Sequence, residues 1–148
     1  MPFSVQAVHH VGLAVSDVER SRRWYAEMFS LEPGPVDHGE GEELARSVQV
    51  PGAVLSFSMI RIGSTRIEFL EYHEPEGQPF DRTNADVGSA HVCLEVDDID
   101  AAVSELSAKG VEFSGPPVTL TEGSLRGCRW AYFRDPDGIQ LELWETAA

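Results

Sequence analysis

Two stretches of this chain repeat each other, and any fold it adopts has to accommodate the duplication. HVGLAVSD at 10–17 and HVCLEVDD at 91–98 share the pattern H-V-x-L-x-V-x-D. IEFLE at 67–71 and LELWE at 141–145 form a second matched pair in the same order, the two spacings being 81 and 74 residues. One short match arises by chance. Two in the same order point to a structural unit used twice.

Each H-V-x-L-x-V segment alternates with period two, as a strand with one buried face does. Val92, Leu94 and Val96 then face one way and His91, Cys93 and Glu95 the other. A helix pattern follows in both copies. In the first, Ser16 and Glu19 have capping-box spacing, and Val18, Ser21, Tyr25 and Met28 share a face, widened by Trp24 and Phe29. In the second, Asp98 can cap, Ile99, Ala102, Val103 and Leu106 make the stripe, and Gly110 ends it. Shorter strand runs come next: 54–62 and 66–72 around the turn Gly63-Ser64, then 129–133 and 139–145 around the turn DPDG at 135–138. The polar stretch 33–47 reads as a solvated loop or a lid. One domain over 1–148 is expected, with module one at about 5–72, a Pro- and Gly-punctuated linker at 73–90, and module two at about 91–145.

The bulk properties narrow the function. At 148 residues and 42% hydrophobic content the chain has enough apolar material for a core. A net charge of −14 repels nucleic acid and anionic membranes, so neither is an expected partner. No apolar run is long enough to span a bilayer and no leader pattern opens the chain, so a cytoplasmic protein is expected. Cys93 and Cys128 read as buried small hydrophobes rather than a disulfide.

His10 and His91 occupy equivalent positions of the repeat, and so do Glu68 and Glu142. Each glutamate lies inside an apolar strand, where an unpartnered carboxylate costs several kcal/mol or shifts its pKa upward. Two such carboxylates facing each other would repel unless a cation stood between them. A divalent metal held by His10, Glu68, His91 and Glu142 removes both costs. Two imidazoles and two carboxylates without a thiolate favour nickel, cobalt, zinc, manganese or iron. Room left for water suits a catalytic ion.

The chain resembles the vicinal oxygen chelate superfamily, the glyoxalase/bleomycin-resistance/dioxygenase group. The likeness runs from HHVGLAVSDVERSRRWY through SAHVCLEVDDIDAAVSEL to YFRDPDGIQLELWE. It implies an α+β fold of two tandem βαβββ modules, forming a curved eight-stranded cup around a metal. Its ligand positions fall on His10, Glu68, His91 and Glu142, the four that the repeat selects; His9 does not align with His91. Bacterial glyoxalase I has the same His-Glu-His-Glu order. Methylmalonyl-CoA epimerase has Gln at the first glutamate and a separate catalytic glutamate, where an ungapped alignment places Gly52, with Glu42 and Glu43 nearby in the loop. Extradiol dioxygenases lack a ligand at the position of Glu68, and bleomycin-binding members lack the ligands.

By this resemblance the expected activity is that of a metal-dependent isomerase, lyase or epimerase, which stabilises the enediolate or enolate of a small carbonyl compound or thioester. Glu142 or Glu68 would carry the proton. Alternation adds Cys93, Glu95, Leu70 and Trp144 to the same face, with Glu95 as an extra ionisable candidate. A small-molecule binding or resistance protein and a metal-dependent dioxygenase are the alternatives. A homodimer is the expected assembly.

Overall fold

A computed structural model of the chain describes residues 3–81 and 83–147, and its backbone divides into two units between Gln78 and Pro79. The first unit runs β1 (Val11–Ala14), α1 (Val18–Phe29), β2 (Pro33–Gly39), α2 (Glu42–Ser47), β3 (Val54–Ile62) and β4 (Thr65–Glu74). Its strands lie in the order β1-β4-β3-β2, with β1 parallel to β4 and the remaining neighbours antiparallel. The second runs β5 (Val92–Glu95), α3 (Ile99–Ala108), β6 (Val118–Thr119), β7 (Arg129–Arg134) and β8 (Gln140–Glu145). Its order is β5-β8-β7-β6, with β5 parallel to β8. The two topologies are the same βαβββ plan, α2 being an addition to the first, so the α+β expectation holds. Among the described residues no helix is long and apolar enough to cross a membrane.

In each unit one sheet face carries the helix. Tyr25 of α1 lies 4.8 Å from Phe69, centroid to centroid, and both are fully buried with Ile60 and Ile67 close to it. In the second unit Ile99 and Leu106 of α3 are buried, as are Phe133, Leu141 and Leu143 on the sheet. Val18, Ser21, Tyr25 and Met28 are the buried positions of α1, as the 3.6-residue period requires. Trp24 and Phe29 are only half-buried and pack edge-on, 6.0 Å apart.

The start of α1 differs from expectation. Asp17, not Ser16, is the cap, its carboxylate accepting the Arg20 amide at 2.8 Å; Ser16 stands one residue too early and accepts from the Arg20 guanidinium instead. Asp17→Ala should lower unfolding free energy by about 1 kcal/mol, the typical worth of such a cap, measured by urea denaturation.

A carboxylate from the sheet also meets the starts of α1 and α3. Glu71 accepts the Val18 amide at 2.9 Å, and Glu145 accepts the Ile99 amide at 2.7 Å. Beside Glu71, buried Ser56 bridges His38 Nδ1 and His73 Nε2 at 2.9 and 2.7 Å. β4 thus continues through His73 and Glu74, residues whose polar company had assigned them to the linker.

The stretch 33–47 is not a loop. It holds β2 and α2. Two prolines mask the strand, but β2 is an edge, where missing N–H groups are tolerated. Gly34 is required there because a Cβ would overlap the Met59 carbonyl. Glu42 and Glu43 at the first turn of α2, with Arg46 in the last, match the helix dipole.

Candidate metal centre

The face opposite the helices carries the residues selected by the repeat. Along β4, Arg66, Glu68, Leu70 and Tyr72 alternate away from buried Ile67 and Phe69. Gly12 of β1 stands directly opposite Glu68 in register, and a Cβ on it would come 3.3 Å from Leu70 and 3.8 Å from the Glu68 carboxylate. His10 lies just before β1 rather than in it, and its Nε2 is 3.3 Å from Glu68 Oε2. Neighbouring His9 is turned to its ring, the two Nδ1 atoms 2.8 Å apart.

The second unit repeats this arrangement. Cys93 pairs with Glu142, as Gly12 pairs with Glu68. His91, again one residue before its strand, places Nε2 at 2.9 Å from Glu142 Oε2. Each unit thus brings together one histidine and one glutamate of the four residues selected by the repeat, at equivalent places. The Glu142 side chain is 8% exposed and that of Glu68 17%. Neither has a Lys or Arg partner among the described residues. Within neither unit do three or more described His, Cys, Asp or Glu side chains gather into a metal-sized cluster.

Cys93 corrects an expectation. Only Cys128 is buried; Cys93 is exposed, since alternation sets it on the same face as His91 and Glu95. Desolvation against the strand, followed by the Glu142 charge and hydrogen bond and by the Glu95 charge, pushes its thiol up to about 12. It is a thiol, not a thiolate, at neutral pH. Leu70 shares the Glu68 face, and Glu95 and Trp144 share that of Glu142, as alternation predicted. Glu95, however, is engaged at the strand end: Thr146 donates to it at 2.6 Å, and Trp144 Nε1 in turn donates to Thr146 at 3.2 Å.

Tyr132 was not anticipated. It stands directly across from Glu142 in the β7–β8 ladder and meets the His91 ring edge-on at 5.4 Å. Burial, then the Glu142 charge and hydrogen bond, raise its hydroxyl pKa, with Cys93 adding less. Counting outward from a turn at 135–138 pairs 132 with 141, one residue short of the observed partner Glu142, so the turn alone did not disclose it. The two outer glutamates of the repeat, Glu71 and Glu145, had a readable signal: three residues from Glu68 and Glu142 along a strand is an odd step, hence the opposite face.

Gly52, where the resemblance places the catalytic glutamate of methylmalonyl-CoA epimerase, adopts φ +72° with open space where a side chain would be. Together with Glu40 and Glu42 it lines a surface hollow of ≈ 400 Å³ in the first unit. Glu43 is not part of that lining.

Two copies of one βαβββ unit, each with a His–Glu pair on its helix-free sheet face, define a class of α+β small-molecule proteins. The model of the Glyoxalase/Bleomycin resistance protein/Dioxygenase superfamily matches residues 7–143, and the chain belongs to that superfamily. It is 36% identical to the 2-epi-5-epi-valiolone epimerase of an Actinomyces species, over 93% of this chain and 78% of that one. It is 28% identical to human mitochondrial methylmalonyl-CoA epimerase, over 95% of this chain and 74% of the other. Among solved structures, a glyoxalase family protein from Bacillus cereus superposes with a TM-score of 0.81 at 25% identity, covering 99% of this chain and 97% of its own. With a lactoylglutathione lyase of Schizosaccharomyces pombe, 28% identical over 95% of this chain and 48% of the other, these relatives support an epimerase- or lyase-type role within the superfamily.

Proposed function

We propose that the two His–Glu pairs serve one divalent ion and that the chain is an epimerase of a small carbonyl compound. The observation that carries this is the recurrence of the pair at equivalent register positions, each with a sparsely exposed glutamate that has no Lys or Arg partner among the described residues. The donor set fits such an ion: each carboxylate is already turned to an imidazole nitrogen, and a cation offsets the cost of removing it from water. His10, Glu68, His91 and Glu142 would hold the ion, as nickel, cobalt, zinc, manganese or iron. When bound it would polarise the substrate carbonyl and stabilise the enolate or enediolate left by proton loss. The chain's own share is to take the proton from the carbon beside the carbonyl and return it to the opposite face. Glu68 and Glu142 are the carboxylates available for that. The 36% identity to a 2-epi-5-epi-valiolone epimerase favours a polyhydroxylated cyclic ketone as substrate, and the net charge of −14 disfavours a polyanionic CoA thioester.

The test is proton NMR in heavy water with 2-epi-5-epi-valiolone and a panel of small hydroxy-ketones. The expected result is a second diastereomer carrying deuterium at the carbon next to the carbonyl. A ligand that binds tightly yet neither exchanges nor epimerises would replace this reading with that of a binding protein.

A further inference from the structure

The two glutamates are equivalent in the repeat but not in their surroundings. Glu142 stands 2.9 Å from His91, with Tyr132 directly across from it on the facing strand and Cys93 on the adjoining one, both side chains able to donate to a carboxylate. Glu68 stands 3.3 Å from His10, and the positions that correspond to Tyr132 and Cys93 are occupied by Met59 and Gly12, which offer no side-chain donor. The Tyr132 ring also packs edge-on against His91, so one side chain touches both members of the second pair. We propose that Tyr132 is a positioning residue that fastens Glu142, making Glu142 the held member of the ligand set and Glu68 the member free to move.

A carboxylate with a hydrogen-bond donor facing it is held in its orientation toward a cation, and an imidazole braced by a neighbouring ring keeps its own. Tyr132 does both from outside the set. Nothing on the facing strand does the same for Glu68, because the thioether of Met59 cannot donate a hydrogen bond. This rests on the metal reading above.

The experiment is calorimetric titration of chelator-stripped protein with cobalt(II), with the visible spectrum of the cobalt form as a second readout. Tyr132→Phe keeps the half-buried ring and removes only the hydroxyl. It should weaken cobalt binding by roughly 10–100-fold, the usual effect of losing a ligand's hydrogen-bond partner, and shift the cobalt absorption bands. Met59→Leu, the equivalent change in the first unit, should leave affinity within about twofold and the bands in place, since no donor is lost. Wild-type binding with unchanged affinity and spectrum in Tyr132→Phe overturns the role of Tyr132 alone. A wild-type protein that takes up no cobalt, nickel, zinc, manganese or iron overturns the metal reading and this inference with it. Circular dichroism of each variant confirms that the fold is retained.

Discussion

His91→Ala should leave the protein folded and strip it of metal. Protein purified without chelator is expected to carry about one transition-metal equivalent per chain, as a four-ligand set implies. The His91 side chain is 39% exposed and outside the core, so its removal opens no cavity. What it removes is a nitrogen donor 2.9 Å from Glu142. The loss in affinity should exceed the roughly 10–100-fold that follows from losing a ligand's hydrogen-bond partner. Elemental analysis of both proteins, with thermal melts for folding, checks the result. Equal metal content in the two would sink the assignment of His91.

Glu68→Gln should separate metal binding from proton chemistry. The amide oxygen can still coordinate, but the amide cannot accept a proton. Solvent deuterium exchange into the substrate should fall by about 10²–10⁴-fold, the usual contribution of a positioned base, while most of the metal is retained. Glu142→Gln should behave in the reverse order. Its side chain is the one flanked by Tyr132, Cys93 and His91, so disturbing it should show first as lost metal. Exchange in Glu68→Gln at the wild-type rate, with Glu142→Gln inactive and fully loaded, would exchange the two roles.

The duplication made most of this legible before any coordinates. Period-two alternation placed Glu68 and Glu142 on one face and their apolar neighbours on the other, and the turns at Gly63-Ser64 and DPDG located both hairpins. The failures came where local composition and tertiary context disagree. Pro33, Gly34 and Pro35 look like a loop because their strand lies at an edge and passes close over Met59, a contact no local pattern encodes. Ser16 has capping-box spacing with Glu19, yet Asp17 beside it brings the stronger acceptor to the Arg20 amide. Cysteine is usually buried, but the strand parity that set His91 outward set Cys93 outward too. Tyr132 carries no repeat signal, because the residue at its place in the first unit is Met59.

The paired glutamates of IEFLE and LELWE constrain how such a chain can change. On each last strand, one carboxylate addresses the open face and another, three residues on, grips the first amide of the helix on the other side. A strand inscribed on both faces cannot slide. A shift of β8 by a single residue would turn Glu142 toward α3, bring Leu143 out to the open face and unseat Glu145 from Ile99, all in one step. Insertions between the two glutamates of either strand are therefore closed to this architecture; the extra residue that β4 does carry, His73, lies beyond Glu71. New chemistry has to come from exchanging side chains at fixed addresses, as Met59 and Tyr132 already differ at corresponding ones.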